Sequence, residues 1–318
     1  MKKRVLITNL IPEAAYQKLS RRFQVTWNKK QLTEAQLVSK IKPFDAVLTI
    51  LADPITAQVL NNAPKLKCVA NFAVGFNNID LVTAKSRGIQ VTNTPDVLTE
   101  ATADIAWALI LSCARRVPEG EKFVRTTGFK GWNALFLLGQ DLAGKTLGIY
   151  GFGRIGKAVA MRGKGWNMPV LYHQRHRENP AVEKRYNAKY VPFETLLKRS
   201  DILSINSPLT PETKHRFTSK EFKQMKSNAI FINASRGPIH MEADLVKALQ
   251  TKTIFSAGLD VYEHEPKINP ALLKLSNCTL MPHLGSATLE TRTKMALLAA
   301  ENIELVLTGR KPQTPVIK

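Results

Sequence analysis

A chain of 318 residues suffices for about two domains at roughly 150 residues each, which excludes a disulfide-stapled miniprotein. Its 44% hydrophobic and 22% charged residues, with 17 Gly and 17 Pro, exclude a disordered or collagen-like chain. The 46 basic against 25 acidic residues leave a net charge of +21, but the basic residues are scattered and no nucleic-acid-binding motif accompanies them. The charge reads as a solvated basic surface that favours small anions over nucleic acid. Cys68, Cys113 and Cys278 form no C-x-x-C pair and have no His at zinc-finger spacing. They point to reduced thiols in a cytoplasmic protein without a bound metal.

Met1-Lys2-Lys3-Arg4 has the basic start of a signal peptide but not its apolar region, and the segment reads as the beginning of a first strand. Val5 to Thr8, Ala46 to Leu51, Cys68 to Phe72 and Ile89 to Thr92 are short apolar runs with helical patterns between them, which predicts a parallel sheet. A helix is expected from Thr99 to Arg116, with Thr99 as its cap and Pro118 marking its stop. Its apolar core, Ile105 to Ala114, is far short of the roughly 20 residues that cross a bilayer, so no membrane is expected. After the aromatic segment Phe129 to Leu138, strands follow at Thr146 to Tyr150, Val170 to His173, Ile202 to Ile205, Ala229 to Asn233 and Ser256 to Leu259. A last helical pattern runs from about Ala287 to Leu307.

Gly151-Phe152-Gly153-Arg154-Ile155-Gly156 directly follows a predicted strand and opens a predicted helix, the context that a dinucleotide fingerprint requires. Gly151 allows the tight turn, Gly153 lets the backbone approach a pyrophosphate, and Gly156 lets helix pack on strand. An Asp or Glu at the end of the next strand would accept from the ribose 2′-hydroxyl of NAD. That strand instead ends Tyr172-His173-Gln174-Arg175-His176-Arg177. Arg175 and Arg177 suit a 2′-phosphate, so NADP(H) is expected to be preferred, with NAD(H) possible.

Hydride transfer to a keto acid needs a cation for the carboxylate, a proton donor for the carbonyl oxygen and a group that tunes the donor. Arg236, His283 and Glu265 offer these, each after a strand-like run. With these residues in place the sequence resembles the D-2-hydroxyacid dehydrogenase family, most closely its glyoxylate/hydroxypyruvate reductase branch. The resemblance rests on Ala73 to Asp80, Ala101 to Asp104, Gly151 to Gly156, Ser207 to Thr213, Ser235-Arg236-Gly237, Gly258 to Val261, Glu265-Pro266 and Pro282 to Ala287.

The resemblance implies an α/β fold in which a Rossmann dinucleotide-binding domain, 99–287, is inserted into a flavodoxin-like substrate domain, 1–98 and 288–318. It implies reduction of a small 2-keto acid to the 2-hydroxy acid, of D configuration where a stereocentre exists. Arg236 would bind the carboxylate, His283 would be the acid/base, and Glu265 would pair with His283 and favour its protonated form. Cofactor contacts are implied for Arg154, Ile155, Pro208, Thr213, Ala234, Asp260 and Gly285, and substrate contacts for Leu51 and the N–H groups of Val74 and Gly75. A homodimer is expected through Ile105, Trp107, Leu109, Phe129, Trp132 and Phe136. A dinucleotide-sensing protein like the C-terminal binding protein corepressors and an NAD-linked phosphoglycerate dehydrogenase are the alternatives. One departure stands out, His240 and Met241 where the family pattern has an apolar residue and an Asp, and it puts the start of the following helix in question.

Overall fold

The computed structural model describes residues 2–317, so Met1 and Lys318, the outermost positions of the expected substrate domain, lie outside it. The chain divides into two compact units, one running to Leu98 and resuming at Ser286, the other Thr99–Gly285.

In the first unit the order is β1 (Arg4–Ile7), α1 (Glu13–Ser20), β2 (Gln24–Trp27), α2 (Glu34–Lys40), β3 (Ala46–Thr49), α3 (Ala57–Asn61), β4 (Cys68–Asn71), α4 (Leu81–Ser86) and β5 (Gln90–Thr92). The strands form one parallel sheet in the order β2-β1-β3-β4-β5, the flavodoxin-like winding. Its central strands are buried on both faces, which is why they read as unbroken apolar runs. Leu6, Val47 and Val69 pack with Leu37, Val59 and Leu60 on one face, whereas Val5, Ile7 and Leu48 pack with Ala15 and Leu19 on the other.

The second unit opens with α5 (Thr99–Ala114) and α6 (Val117–Thr126). The helix expected to reach Arg116 ends at Ala114, because Arg116 turns left-handed at φ 53°. Pro118 does not stop that helix; it lies in the first turn of α6, where its missing N–H costs nothing. Thr99 is the first helical residue rather than the cap before it. Then follow β6 (Leu147–Tyr150), α7 (Arg154–Gly163), β7 (Val170–His173), α8 (Pro180–Tyr186), β8 (Ala188–Tyr190), α9 (Phe193–Arg199), β9 (Ile202–Ile205), α10 (Ser219–Phe222), β10 (Ile230–Asn233), α11 (Glu242–Gln250), β11 (Ser256–Leu259) and β12 (Cys278–Leu280). All seven strands are parallel, in the order β12-β11-β10-β9-β6-β7-β8, a Rossmann winding with one added edge strand. Trp107 and Leu109, expected on a dimer face, are buried in this unit's core, and the Trp107 indole donates to Val159 O at 3.0 Å. Phe129, Trp132, Leu135 and Leu138 are exposed.

The last helix, α12 (Leu289–Leu307), belongs to the first unit. Its Ala296, Ala299, Ala300 and Ile303 join the core of Val5, Ile7 and Leu48.

No helix among the described residues is long and apolar enough to cross a membrane. Cys68, Cys113 and Cys278 are free thiols.

Candidate active site

Because the seven strands of the second unit are parallel, the loops after β6, β7, β9, β10, β11 and β12 emerge along one edge. The strand order reverses at β6, which lies between β9 and β7, and such a switch point forms a crevice for ligands.

The glycine turn occupies it. Gly151 has φ +92°, and a Cβ there would meet Ser207 N at 2.7 Å and Asn206 C at 2.8 Å, so only glycine fits between the loops after β6 and β9. A Cβ on Gly156 would meet Gly151 O at 2.2 Å, which is the close helix-to-turn packing expected of it. Gly153 opens onto free space and caps α7 with no side-chain bond, so the Ile155 and Gly156 N–H groups of its first turn stay open to an anion. The Ser207 hydroxyl beside the turn is buried without a hydrogen-bond partner. An open cradle of N–H groups with an orphaned hydroxyl beside it fits a dinucleotide pyrophosphate.

Gln174, at the end of β7, accepts the Phe152 N–H at 3.0 Å and donates to Glu178 Oε1 at 3.2 Å, bracing the turn. Glu178 also pairs with Lys157 at 3.0 Å. The structure separates the two arginines expected at a 2′-phosphate. Arg177 forms a fork on Glu183 at 2.9 and 2.7 Å. That fork, after a burial penalty pushing the other way and with help from the Tyr172 hydroxyl, holds the Glu183 carboxyl down at about 2. Arg175 is exposed, and its charge is felt by Glu212. Arg154 and Ile155 open α7. Pro208 and Thr213 close a loop after β9 in which Thr213 Oγ1 donates to Pro208 O at 2.8 Å.

On the other side of the switch point, β10 leads through Ala234 and Ser235 to Arg236. The fully buried Asn233 shapes this turn, its Oδ1 accepting from Ser235 N and Oγ at 3.0 Å and its Nδ2 donating to Arg236 O at 2.9 Å. Arg236 Nη1 donates to Ser235 O at 2.6 Å. Its remaining guanidinium N–H groups have no hydrogen-bond partner among the described residues. Burial pushes the Arg236 pKa down while the Glu265 charge opposes it. A Cβ on Gly237 would fall 1.9 Å from Tyr262 C and O, so glycine is what lets this loop lie against the one after β11.

That second loop carries Glu265, whose Oε1 accepts the Tyr262 N–H at 3.0 Å and whose Oε2 meets His283 Nδ1 at 2.8 Å. Burial raises the Glu265 carboxyl, but the bond and charge of His283, the Tyr262 N–H and Arg236 outweigh it and leave it below the usual range. His283 follows β12 with φ +56°, its N–H held by Asp260 O at 2.9 Å. With Nδ1 on Glu265, Nε2 is the ring atom left for a proton transfer. Asp260, fully buried at the end of β11, accepts Leu284 N–H at 2.6 Å and Gly285 N–H at 2.8 Å. Both its oxygens therefore brace the loop that carries His283 and Gly285. Sequence reasoning missed this bracing role and that of Asn233, although both lie inside the motifs that pointed to the site.

In the first unit, Leu51 is half-buried in the turn after β3 rather than at a strand end. The carbonyls of Val74 and Gly75, after β4, accept from Asn93 and Asn71 at 2.8 Å, and their N–H groups have no hydrogen-bond partner among the described residues. A separate cavity of about 710 Å³, lined by Arg116, Glu119, Lys252 and Ser256 among others, lies where β11 begins, at the opposite sheet edge from Arg236, Glu265 and His283.

A family model described as D-isomer specific 2-hydroxyacid dehydrogenase, NAD binding domain, matches residues 107–285. The chain is 48% identical to a glyoxylate reductase of Thermococcus litoralis over all of this chain and 98% of that one. It is 47% identical to that of Pyrococcus horikoshii, over 99% and 96%. The crystal structure of an NADPH-dependent glyoxylate/hydroxypyruvate reductase from Sinorhizobium meliloti, in complex with NADP and malonate, is similar at a TM-score of 0.90 and 32% identity, covering 99% of this chain and 97% of that one. This chain belongs to the D-isomer specific 2-hydroxyacid dehydrogenase family, within its glyoxylate reductase branch, and is an NAD(P)-dependent 2-keto acid reductase.

Proposed function

We propose that the enzyme reduces glyoxylate, hydroxypyruvate or a similarly small 2-keto acid to the 2-hydroxy acid, of D configuration where one arises, with NADPH as the preferred donor. The observation that carries this reading is the pairing, within one unit, of the open Arg236 fork with a His283 whose Nδ1 is fixed by Glu265. When bound at the glycine turn, the reduced nicotinamide would supply the hydride. Arg236 grips the substrate carboxylate with two parallel N–H bonds and polarises the neighbouring carbonyl. His283 Nε2 gives its proton to the carbonyl oxygen, and Glu265 stabilises the imidazolium before transfer and orients the ring throughout. The Val74 and Gly75 N–H groups and Leu51 are assigned to the substrate, with 1–98 and 288–318 as the substrate domain and 99–287 as the cofactor domain, two residues beyond the division observed at Ser286.

The preference for NADPH is supported by the absence of a carboxylate at Gln174, by the commitment of Glu178 to Lys157 and Gln174, and by Arg175, whose exposed guanidinium is left for a 2′-phosphate. Arg177, already forked on Glu183, contributes chiefly through its charge. The exposed Phe129, Trp132, Leu135 and Leu138 support a homodimer, which light scattering at micromolar concentration reads as twice the 35.4 kDa chain mass. Loss of reduced-cofactor absorbance with a panel of 2-keto acids tests the reading. Turnover of glyoxylate or hydroxypyruvate that falls at least about 100-fold in His283→Ala is expected. Unchanged turnover in that variant contradicts the mechanism.

A further inference from the structure

The departure at His240 has a structural consequence. Position 240 is fully buried, with Phe231 edge-on at 5.6 Å and the Phe217 backbone alongside. An apolar side chain would fill such a site without desolvating a polar one. Here the imidazole Nδ1 lies 3.1 Å from Asn233 Nδ2, while Nε2 has no partner. Leaving a buried ring nitrogen unpaired costs about 1–3 kcal/mol. The compensation is on the other side of the ring. Asn233 offers two N–H groups and two acceptor sites. Three are taken by Ser235 N, Ser235 Oγ and Arg236 O, and His240 Nδ1 takes the fourth.

We propose that His240 is a positioning residue for the reaction, fixing the Asn233 amide and through it the turn that presents Arg236 to the substrate carboxylate. The proposal rests on the assignment of Arg236 made above. Its chemistry demands one ring state, with Nδ1 bare to accept from Asn233 and the proton on Nε2; a proton on Nδ1 would set two donors against each other. Burial holds the ring neutral down to about pH 4, against the Glu263 charge that favours protonation. The contact therefore persists at any pH above that value. His215 and Glu263, paired at 2.7 Å, are the nearby ionisable groups, and Glu263 Oε2 also accepts the Glu242 N–H at 3.1 Å, at the start of α11. Met241, standing where the family pattern has an Asp, provides no side-chain cap there, so Glu263 covers that helix start.

The test compares two variants in the full chain. Leu fills much of the ring volume without an acceptor, and Asn places its Oδ1 near the position of the imidazole Nδ1. His240→Leu is expected to raise KM for glyoxylate about 5- to 10-fold, the scale of one lost hydrogen bond, with KM for NADPH within about twofold. His240→Asn is expected to restore KM for glyoxylate to within about twofold of wild type. A wild-type KM in His240→Leu, or equal impairment in both variants, overturns the proposal. Should His240→Leu fail to fold, the nitrogen NMR shifts of the His240 ring in the wild-type enzyme decide. The Nε2–H tautomer is expected, and the Nδ1–H tautomer overturns the proposal. Arg236→Lys in the same assay separates the two readings. If it is impaired and His240→Leu is not, only the positioning role falls. If Arg236→Lys behaves as wild type, the carboxylate assignment falls and the positioning role with it.

Discussion

Replacing Asp260 by Asn probes how the His283 loop is held. The carboxylate is fully buried and accepts two backbone N–H groups, from Leu284 at 2.6 Å and Gly285 at 2.8 Å. Asparagine has nearly the same shape, but one of its two positions becomes an N–H₂ facing a backbone N–H. One charge-assisted bond, worth about 1.5–3 kcal/mol, is lost, and a buried donor is left unpaired at a further cost of about 1–3 kcal/mol. Part of this is recovered because an amide is less expensive to bury than a carboxylate, and Asp260 is itself pushed up by burial. A net loss of about 2–4 kcal/mol remains, concentrated in the loop. Hydrogen exchange reads it locally: the Leu284 and Gly285 amides are expected to exchange about 30- to 1000-fold faster while β6 and β9 stay protected. The turnover number should fall as well, since His283 holds a left-handed backbone that few other contacts enforce. Exchange at these two amides within about threefold of wild type, in a folded variant, would show that Asp260 does not hold the loop.

Other perturbations have equally definite outcomes. Glu265→Gln removes the carboxylate that meets His283 at 2.8 Å; with the partner that fixes Nδ1 lost, kcat for glyoxylate should fall at least about 10-fold, and an unchanged kcat contradicts the pairing. Arg175→Ala should raise KM for NADPH about 10-fold more than KM for NADH, with kcat little changed and a smaller gap at high salt, as parallel kinetics with the two cofactors will show. His240 takes up a proton at about 4 in the folded protein against 6.5 unfolded, so its contribution to stability is complete above pH 6.5 and is lost as the pH falls toward 4. The ceiling is about 3 kcal/mol, and denaturant titrations of wild type and His240→Asn at several pH values should show a shallower loss in the variant.

The alternation of strands and helices was legible because the central strands are buried on both faces and so read as short, unbroken apolar runs. The edge strands β2, β8 and β12 were not. Gln24–Trp27 has no fully buried residue, Ala188–Tyr190 has one, and Cys278–Leu280 none, so their pattern lacks the apolar contrast that marks a strand. The glycine turn was legible for a local reason, since its requirements are steric and lie within six residues. Arg236, Glu265 and His283 were visible as motifs at strand ends. The commitments of their neighbours were not visible, because those depend on tertiary contacts. Arg177 and Glu183 face each other only because the chain turns at Asn179 into α8. The amide of Asn233 meets His240 only after the short turn Gly237–Ile239 brings position 240 back beneath the strand.

Single-turnover reduction of glyoxylate with NADPH carrying deuterium at both C4 positions tests hydride transfer at this site most directly, with the product analysed by mass spectrometry and His283→Ala run beside wild type. Glycolate with one deuterium on the carbon that bore the carbonyl is expected, formed at least about 100-fold more slowly by the variant. Glycolate without deuterium, or labelled glycolate formed equally fast by both proteins, would contradict it.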